Sequence, residues 1–215
     1  MIPWQACRLC VITDPSLGCG RSHVEIAARA VEGGASMIQL RDKLAGPRQL
    51  LSEARQIRQL CRARGVSFIV NDRLDLALAV DADGVHLGQD DLPPMAARAI
   101  LGRDKFLGVS THSLEQALEA AEQGADYLGI GPIFATGTKA TGYEPRGCDI
   151  IRQVRARIDL PLVAIGGITL SNVGEVIATG AAGVAVISAI VRADDITAAT
   201  AAFVTVIDQV THEHR

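Results

Sequence analysis

Short apolar runs alternate with longer segments of helical spacing along the whole chain, and this alternation restricts the fold more than any other feature of the sequence. A short run rich in Val, Ile and Leu is typical of a strand buried on both faces, as in a parallel sheet. A longer amphipathic segment is typical of the helix that connects two such strands. We predict eight strands, at residues 9–13, 37–40, 67–70, 84–87, 106–109, 127–130, 162–165 and 184–187, and helices that include residues 25–31, 48–64, 114–123, 172–179 and 197–210.

Eight strand and helix pairs within 215 residues leave about 27 residues for each pair, which matches a compact (β/α)8 barrel, the TIM barrel. The composition nowhere changes enough to indicate a linker, so residues 1–215 are predicted to form a single α/β domain. The glycines at Gly33-Gly34, Gly124 and Gly180 are predicted to end helices with one residue in the left-handed conformation. The alternative is an open, doubly wound sheet, but the first strand ends in Thr13-Asp14-Pro15 rather than in the G-x-G-x-x-G motif typical of that fold.

The composition argues against several classes of partner. The 21 basic and 24 acidic residues give a net charge of −3, so no general attraction for nucleic acid is expected. The longest apolar stretch, residues 181–191, is shorter than the roughly 18 residues that span a bilayer, so no membrane interaction is expected. Five cysteines, an odd number, and the lack of a charged-then-apolar leader predict a cytoplasmic protein whose Cys7 and Cys10 are structural. A homo-oligomer is compatible with the sequence.

Polar residues or glycines follow the predicted strands, at the end of a barrel where catalytic side chains gather. Alternation along the second strand places Gln39, Arg41 and Lys43 on one side, which we predict to face the barrel interior. The alternative is that such strand ends only carry charges into solvent. The candidate residues at or after the ends of the third to eighth strands are Asn71 and Asp72, His86 with Asp90 and Asp91, Ser110 with His112, Thr136 with Thr138 and Lys139, Gly166 with Gly167, and Ile187 with Ser188.

Two carboxylates are candidate metal ligands. Asp72 and Asp91 would lie at the ends of neighbouring strands, with Asp90 as an alternative to Asp91. Carboxylate oxygens from two strands suit Mg²⁺ when a phosphate substrate completes its coordination. Each aspartate could instead cap a following helix, which for Asp72 would begin at Arg73.

Two loops have the composition of anion sites. Gly166-Gly167 and residues 186–189 follow the seventh and eighth strands, where barrels commonly bind phosphate through backbone N–H groups. Thr136, Thr138 and Lys139 supply two hydroxyls and a cation, which predicts a second anion site separate from the first. Two phosphate sites and a metal predict an enzyme that joins a phosphorylated substrate to a diphosphorylated one.

The strand ends carry seven short motifs, which are QLRDK at residues 39–43, VND at 70–72, GVHLGQDD at 84–91, LGVS at 107–110, GIGPIF at 129–134, TGTK at 136–139 and AIGGI at 164–168. Together they resemble the thiamine-phosphate synthase family. The resemblance runs in order from about Thr13 to Ile190, and the combination is specific although each motif alone is not.

The resemblance implies a transferase that couples 4-amino-5-hydroxymethyl-2-methylpyrimidine diphosphate with thiazole phosphate or its carboxylate, to give thiamine phosphate and diphosphate. It implies that diphosphate leaves first, with Mg²⁺ bound, and that the thiazole nitrogen traps the resulting pyrimidine-methyl cation. By position, the implied diphosphate ligands are Arg41, Lys43, Asn71 and Lys139, the metal ligands are Asp72 and Asp91, the pyrimidine ligands are Gln39 and Ser110, and the thiazole phosphate ligands are Thr136, Thr138, Gly167, Ile187 and Ser188. Arg41, Lys43, Ser110 and Lys139 would take part in catalysis.

Two positions depart from the family pattern. The first strand has no aromatic residue near Cys10, and Ala135 stands where proline is frequent. A related thiazole tautomerase, which would use a histidine at the position of His112, therefore remains an alternative. A barrel that binds phosphate ligands without catalysis is a further one.

Overall fold

Eight parallel strands close into a barrel in chain order, and the last strand pairs with the first. The computed structural model describes residues 8–138 and 142–213. The predicted (β/α)8 barrel is confirmed. The strands are β1 (Leu9–Thr13), β2 (Met37–Leu40), β3 (Ser67–Asn71), β4 (Gly84–Leu87), β5 (Phe106–Thr111), β6 (Tyr127–Ile130), β7 (Leu162–Ile165) and β8 (Gly183–Val186).

Helices connect the strands and cover the outside of the barrel. Gly34, Gly124 and Gly180 have positive φ angles of 95°, 92° and 93° just after three of the helices, as predicted. Among the described residues, no helix is long and apolar enough to cross a membrane. The helices are α1 (His23–Glu32), α2 (Pro47–Arg64), α3 (Leu74–Ala79), α4 (Pro94–Leu101), α5 (Leu114–Glu122), α6 (Asp149–Arg155), α7 (Val173–Ala178), α8 (Ser188–Val191) and α9 (Ile196–Glu213).

Alternation along the strands separates two apolar cores. Outward side chains such as Val11, Ile38 and Leu107 pack against the helices in the larger core. The inward side chains form a smaller core inside the barrel, and they are Cys10, Ile12, Met37, Ile69, Phe106, Tyr127, Val163 and Ala185. Apolar side chains therefore fill much of the interior, while the buried polar side chains of Gln39 and His86 lie toward the carboxyl ends of their strands.

Three strands differ from the prediction in their boundaries. β3 extends through Asn71 and β5 through Thr111, because these polar residues still pair with the neighbouring strands. The last strand runs from Gly183 to Val186, so it begins and ends one residue earlier than predicted. Ile187 leaves the extended conformation, with φ −118° and ψ −87°, because helix α8 begins at Ser188.

Candidate active site

Two cavities lie side by side at the carboxyl end of the barrel. The first, here called the loop cavity, is formed mainly by the loops after β5 to β8. Its lining residues are Ser110, Thr111, His112, Gly129, Gly131, Pro132, Thr136, Thr138, Ile165, Gly166, Gly167, Ile168, Ala185, Val186, Ile187 and Ser188. The second, here called the barrel cavity, lies in the mouth of the barrel, and its lining residues are Cys10, Ile12, Met37, Gln39, Arg41, Asn71, His86, Ser110, Tyr127, Gly129, Val163, Ile165, Ala185 and Ile187.

The loop cavity brings hydroxyl groups from two loops together. Thr138 donates a hydrogen bond from its hydroxyl to that of Ser188 at 3.0 Å. The hydroxyl of Thr136 accepts the backbone N–H of Thr138 at 3.2 Å. Gly167 lines the same cavity, so the prediction of two separate anion sites, one at Thr136 and Thr138 and another at the later loops, is wrong. The cause is that the loop after β6 folds back over the loops after β7 and β8.

Gly167 is required by this close packing of loops. Its φ is +64°, and a Cβ built there would lie 2.5 Å from the carbonyl oxygen of Ala135. Next to it, the carbonyl of Gly166 accepts the backbone N–H of Phe134 at 3.0 Å. A glycine is needed here because the backbone of the preceding loop occupies the space of a side chain.

The barrel cavity is lined by the polar side chains predicted for the inner faces of the strands. Gln39 is only 5% exposed, and Arg41, Asn71 and Ser110 line the same cavity. Alternation along β2 therefore directs Gln39 and Arg41 inward, as predicted. Lys43 lies beyond the end of the strand, with 59% of its side chain exposed.

His86 and Tyr127 form a buried polar pair in the barrel cavity. The Nε2 of His86 lies 2.9 Å from the Ser110 hydroxyl, and its Nδ1 lies 3.1 Å from the Tyr127 hydroxyl. A Cβ at Gly108 would lie 2.1 Å from the Tyr127 ring, so this glycine in β5 makes room for the aromatic side chain. The sequence interpretation did not identify Tyr127 as a cavity residue, although a glycine inside a strand is a signal of close approach. An aromatic ring is thus supplied by β6 rather than by β1.

Asp72 lies beside Lys43 at the end of β3. Its Oδ2 is 3.5 Å from the Lys43 Nζ, and its backbone N–H donates to the His86 carbonyl at 2.8 Å. Helix α3 begins at Leu74, with Arg73 rather than Asp72 at the N-cap position. The predicted helix start at Arg73 is therefore one residue early, and Asp72 is not the residue that caps α3.

Asp91 closes the loop after β4. Its Oδ2 accepts the backbone N–H of Gly88 at 2.6 Å, and it lines a groove beside α4 and α5 rather than the barrel cavity. Helix α4 begins at Pro94 with Pro93 as its N-cap, so neither Asp90 nor Asp91 is the N-cap residue. Within residues 8–138 and 142–213, no group of three or more His, Cys, Asp or Glu side chains could hold a metal ion. Lys139, predicted to bind diphosphate, lies outside the described residues.

His112 stands at the rim of the loop cavity. Its Nδ1 donates a hydrogen bond to the Gly131 carbonyl, and its ring stacks on that of Tyr143 with 3.7 Å between the centroids. The Arg146 guanidinium lies 5.9 Å from the centroid of the Tyr143 ring. The imidazole is therefore held in one orientation between a backbone carbonyl and an aromatic ring.

Comparison with known proteins decides the family. The family described as thiamine monophosphate synthase matches residues 9–190, which include every strand and both cavities. The chain belongs to this family. The resemblance inferred from the seven strand-end motifs is thereby confirmed.

Relatives within the thiamine monophosphate synthase family match along nearly the full chain. A thiamine-phosphate synthase of Chloroflexus aurantiacus is 54% identical over 192 residues, which are 89% of this chain and 88% of the relative. One from Methanospirillum hungatei is 52% identical over 197 residues, covering 92% of this chain and 96% of the relative. The solved structure of a thiamine phosphate pyrophosphorylase from Pyrococcus furiosus is 42% identical, with a TM-score of 0.90, and covers 96% of this chain and 98% of its own.

Proposed function

We propose that the chain is a thiamine-phosphate synthase that joins 4-amino-5-hydroxymethyl-2-methylpyrimidine diphosphate to thiazole phosphate, or to its carboxylate with loss of carbon dioxide, and releases diphosphate. The observation that carries this proposal is that the two cavities share a wall. Both are lined by Ser110, Gly129, Ile165, Ala185 and Ile187. A substrate in each cavity would therefore meet its partner at this wall, as a bond-forming reaction requires.

The barrel cavity suits the pyrimidine diphosphate. Gln39 and Ser110 offer an amide and a hydroxyl to the ring nitrogens and amino group. Arg41 and Asn71 stand at the open end of the cavity, with Lys43 beyond them, where a diphosphate would extend. These three residues, together with Lys139, would grip the diphosphate oxygens.

The loop cavity suits the thiazole phosphate. Its hydroxyls at Thr136, Thr138 and Ser188 converge with the backbone around Gly167 and Ile187. Hydroxyl donors and a glycine-rich backbone after β7 and β8 are the groups with which barrels bind phosphate. The apolar side of the cavity, which includes Ile165 and Ile168, would cover the thiazole ring.

Catalysis in this arrangement is electrostatic. The bond between the pyrimidine methylene carbon and the diphosphate oxygen breaks, and its electron pair leaves with diphosphate. Arg41 and Lys43 stabilise the charge that develops on the leaving group. The lone pair of the thiazole nitrogen then forms the new carbon–nitrogen bond across the wall at Ser110. No strong general base is needed, because no proton is removed in either step.

Asp72 and Asp91, after β3 and β4, could bind Mg²⁺ only if the substrate supplied further ligands. Asp72 and Asp91 offer hard carboxylate oxygens, but two ligands from the protein leave most of the coordination shell to diphosphate and water. Asp72 would hold the ion, and Asp91, whose Oδ2 is bonded to the Gly88 N–H in a groove outside the barrel cavity, would have to turn toward it. When bound, Mg²⁺ would neutralise charge on the diphosphate and so assist its departure.

The free cysteines support a reducing compartment, the cytoplasm. Among the described residues, Cys19, Cys61 and Cys148 form no disulfide, and Cys61 and Cys148 are buried. Such buried thiols persist where glutathione and thioredoxin keep them reduced.

A direct assay tests the function. The purified protein is mixed with both substrates and Mg²⁺, and thiamine phosphate and diphosphate are quantified. We expect the two products in equal amounts and none when Mg²⁺ is chelated. Absence of both products under conditions in which a relative is active would overturn the proposal.

The orientation of His112 in the loop cavity keeps thiazole tautomerisation as a second candidate function. Its imidazole lies where a thiazole phosphate would bind and could move a proton on that ring. The same assay separates the two functions, because isomerisation of the thiazole without coupling would select the tautomerase. Binding of both ligands with neither reaction would select a barrel without catalysis.

A further inference from the structure

A buried hydrogen-bond chain joins the end of β1, the start of α1 and the loop after β2. The hydroxyl of Thr13 lies 2.6 Å from the Nδ1 of His23, and the Nε2 of His23 lies 3.0 Å from the Oδ2 of Asp42. The side chain of His23 is 1% exposed and Thr13 is fully buried.

Asp42 shapes the loop that carries two of the proposed diphosphate ligands. Its Oδ1 accepts the backbone N–H groups of Leu44 and Ala45 at 2.7 Å and 2.9 Å. With Oδ2 on His23, both carboxylate oxygens are fixed, one to the loop and one to the neighbouring helix. Asp42 points away from the cavity, between Arg41 and Lys43 in the chain, so its anchoring fixes the backbone from which both cations project.

The charge of Asp42 is retained despite partial burial. Burial alone would raise its pKa, but the hydrogen bonds from His23 and from the amides of Leu44 and Ala45 outweigh that effect and lower the pKa below its ordinary value. The carboxylate of Asp42 accepts from Nε2–H of His23, and Nδ1 of His23 can accept the Thr13 hydroxyl, whose other possible acceptor is the Gln39 carbonyl at 3.5 Å. An ionised carboxylate is also the stronger acceptor for the two amides that close the loop.

We propose that His23 is a positioning residue, which acts through Asp42 to hold Arg41 and Lys43 in place for the diphosphate of the pyrimidine substrate. This inference rests on the proposed function for the identity of that ligand. His23 itself lines neither cavity as described. His23 therefore acts through the loop at residues 41–45. Of these residues only Arg41 lines a cavity, which is the barrel cavity, so the effect of His23 should be confined to substrate binding there.

Two variants of His23 separate positioning from a general structural role. His23→Ala removes the donor to Asp42, whereas the side-chain amide in His23→Gln can still donate to Asp42 and accept from Thr13. Thr200→Val is a matched control, because Thr200 is also fully buried and bonded, to the Ile196 carbonyl at 2.7 Å, but lies in α9 away from both cavities. If His23→Ala fails to fold, Thr13→Val weakens the same chain at its other end.

The experiment measures the KM of each substrate, kcat and the melting temperature, and it measures binding of inorganic diphosphate with Mg²⁺ by calorimetry. We expect His23→Ala to weaken diphosphate binding and to raise the KM of the pyrimidine diphosphate by about tenfold or more, as loss of a supporting hydrogen bond does at other sites. The KM of thiazole phosphate should not change. His23→Gln should restore most of the loss, and Thr200→Val should lower only the melting temperature.

Two results would overturn the inference. One is an equal rise in the KM of both substrates in His23→Ala, which would indicate a general loss of structure. The other is unchanged diphosphate binding in a folded His23→Ala or Thr13→Val protein. The calorimetric measurement needs no turnover, so weakened diphosphate binding by His23→Ala in a protein that does not couple the substrates would support the positioning role while refuting the proposed function.

Discussion

The hydroxyl of Thr138 donates a hydrogen bond to the hydroxyl of Ser188 at 3.0 Å, and this contact joins the loop after β6 to the start of α8. The two residues are 50 positions apart in the chain, yet they line the same cavity. Because each hydroxyl can also donate to a phosphate oxygen, the pair is suited to exchange its mutual bond for bonds to a ligand.

Removal of either hydroxyl should weaken thiazole phosphate selectively. We expect Thr138→Val or Ser188→Ala to raise the KM of thiazole phosphate by about tenfold, the usual effect of losing one hydrogen bond to a charged group. The double variant should show less than the sum of the two effects, because the residues are bonded to each other. Steady-state kinetics with each substrate varied in turn checks this. An equal rise in the KM of the pyrimidine diphosphate would show that the loop cavity is not specific to the thiazole.

The aspartates at the ends of β3 and β4 should govern the Mg²⁺ requirement. Asparagine is the suitable replacement, because it tolerates the positive φ of 62° at Asp72 and can still accept the Gly88 N–H at Asp91. We expect Asp72→Asn and Asp91→Asn each to reduce coupling by about 100-fold or more and to raise the Mg²⁺ concentration for half-maximal rate.

The neighbouring residue provides the control for these variants. Asp90 is exposed and adjacent to Asp91, so Asp90→Asn should leave both rate and Mg²⁺ dependence unchanged. A lower melting temperature with full turnover in Asp72→Asn or Asp91→Asn would show that these carboxylates only stabilise their loops. Loss of Mg²⁺ dependence in Asp90→Asn alone would move the metal site to that residue.

The barrel could be predicted from local sequence patterns, because each strand is a short apolar run that can be recognised without its neighbours. Five of the eight strands, such as β1 and β6, begin and end at the predicted residues, since their apolar runs stop where the loops begin. The predicted third and fifth strands stop just before the polar residues Asn71 and Ser110, although these residues pair with His86 and Gly129 in the sheet. A polar residue can either face the cavity from within a strand or lie just past the end of the strand, and a single sequence does not distinguish these two positions.

Contacts between distant residues could not be predicted in this way. The burial of His23 depends on Thr13 before it and on Asp42 after it, in two other elements. The place of Tyr127 depends on the space left by Gly108 in the neighbouring strand. The joining of two expected anion sites into one cavity likewise depends on how the loop after β6 folds, which no local motif specifies.

Cys61 should make stability depend on alkaline pH. Burial, assisted by the nearby charge of Asp83, raises the pKa of this thiol from 9.0 to about 12. The unfolded chain therefore loses the Cys61 proton near pH 9 while the folded protein keeps it, so stability present below pH 9 is lost as the pH rises toward 12.

The comparison with Cys61→Ala isolates this effect, because every other titrating group is common to both proteins. The advantage of the wild type in free energy of unfolding should be constant below pH 9 and should shrink above it by at most about 1.4 kcal/mol per pH unit. Urea unfolding at pH 7, 8, 9 and 10 measures this difference in the free energy of unfolding, and each extrapolated value has an uncertainty of about ten per cent. A constant difference across this range would mean that the thiol ionises equally in both states.

Gly167 should be more sensitive to substitution than a glycine with a similar φ angle elsewhere in the chain. Gly167 and Gly65 have φ angles of +64° and +66°, but a Cβ at Gly65 meets nothing within 4 Å, whereas at Gly167 it would lie 2.5 Å from the Ala135 carbonyl. Gly65→Ala therefore isolates the conformational cost, about 1 kcal/mol. Gly167→Ala adds a collision that must displace the loop carrying Thr136 and Thr138. We expect a larger loss of stability and a raised KM for thiazole phosphate, with the KM of the pyrimidine diphosphate unchanged. Urea unfolding and kinetics of the two variants check this, and equal stability losses with an unaltered thiazole phosphate KM in both would show that the loop after β6 does not depend on Gly167.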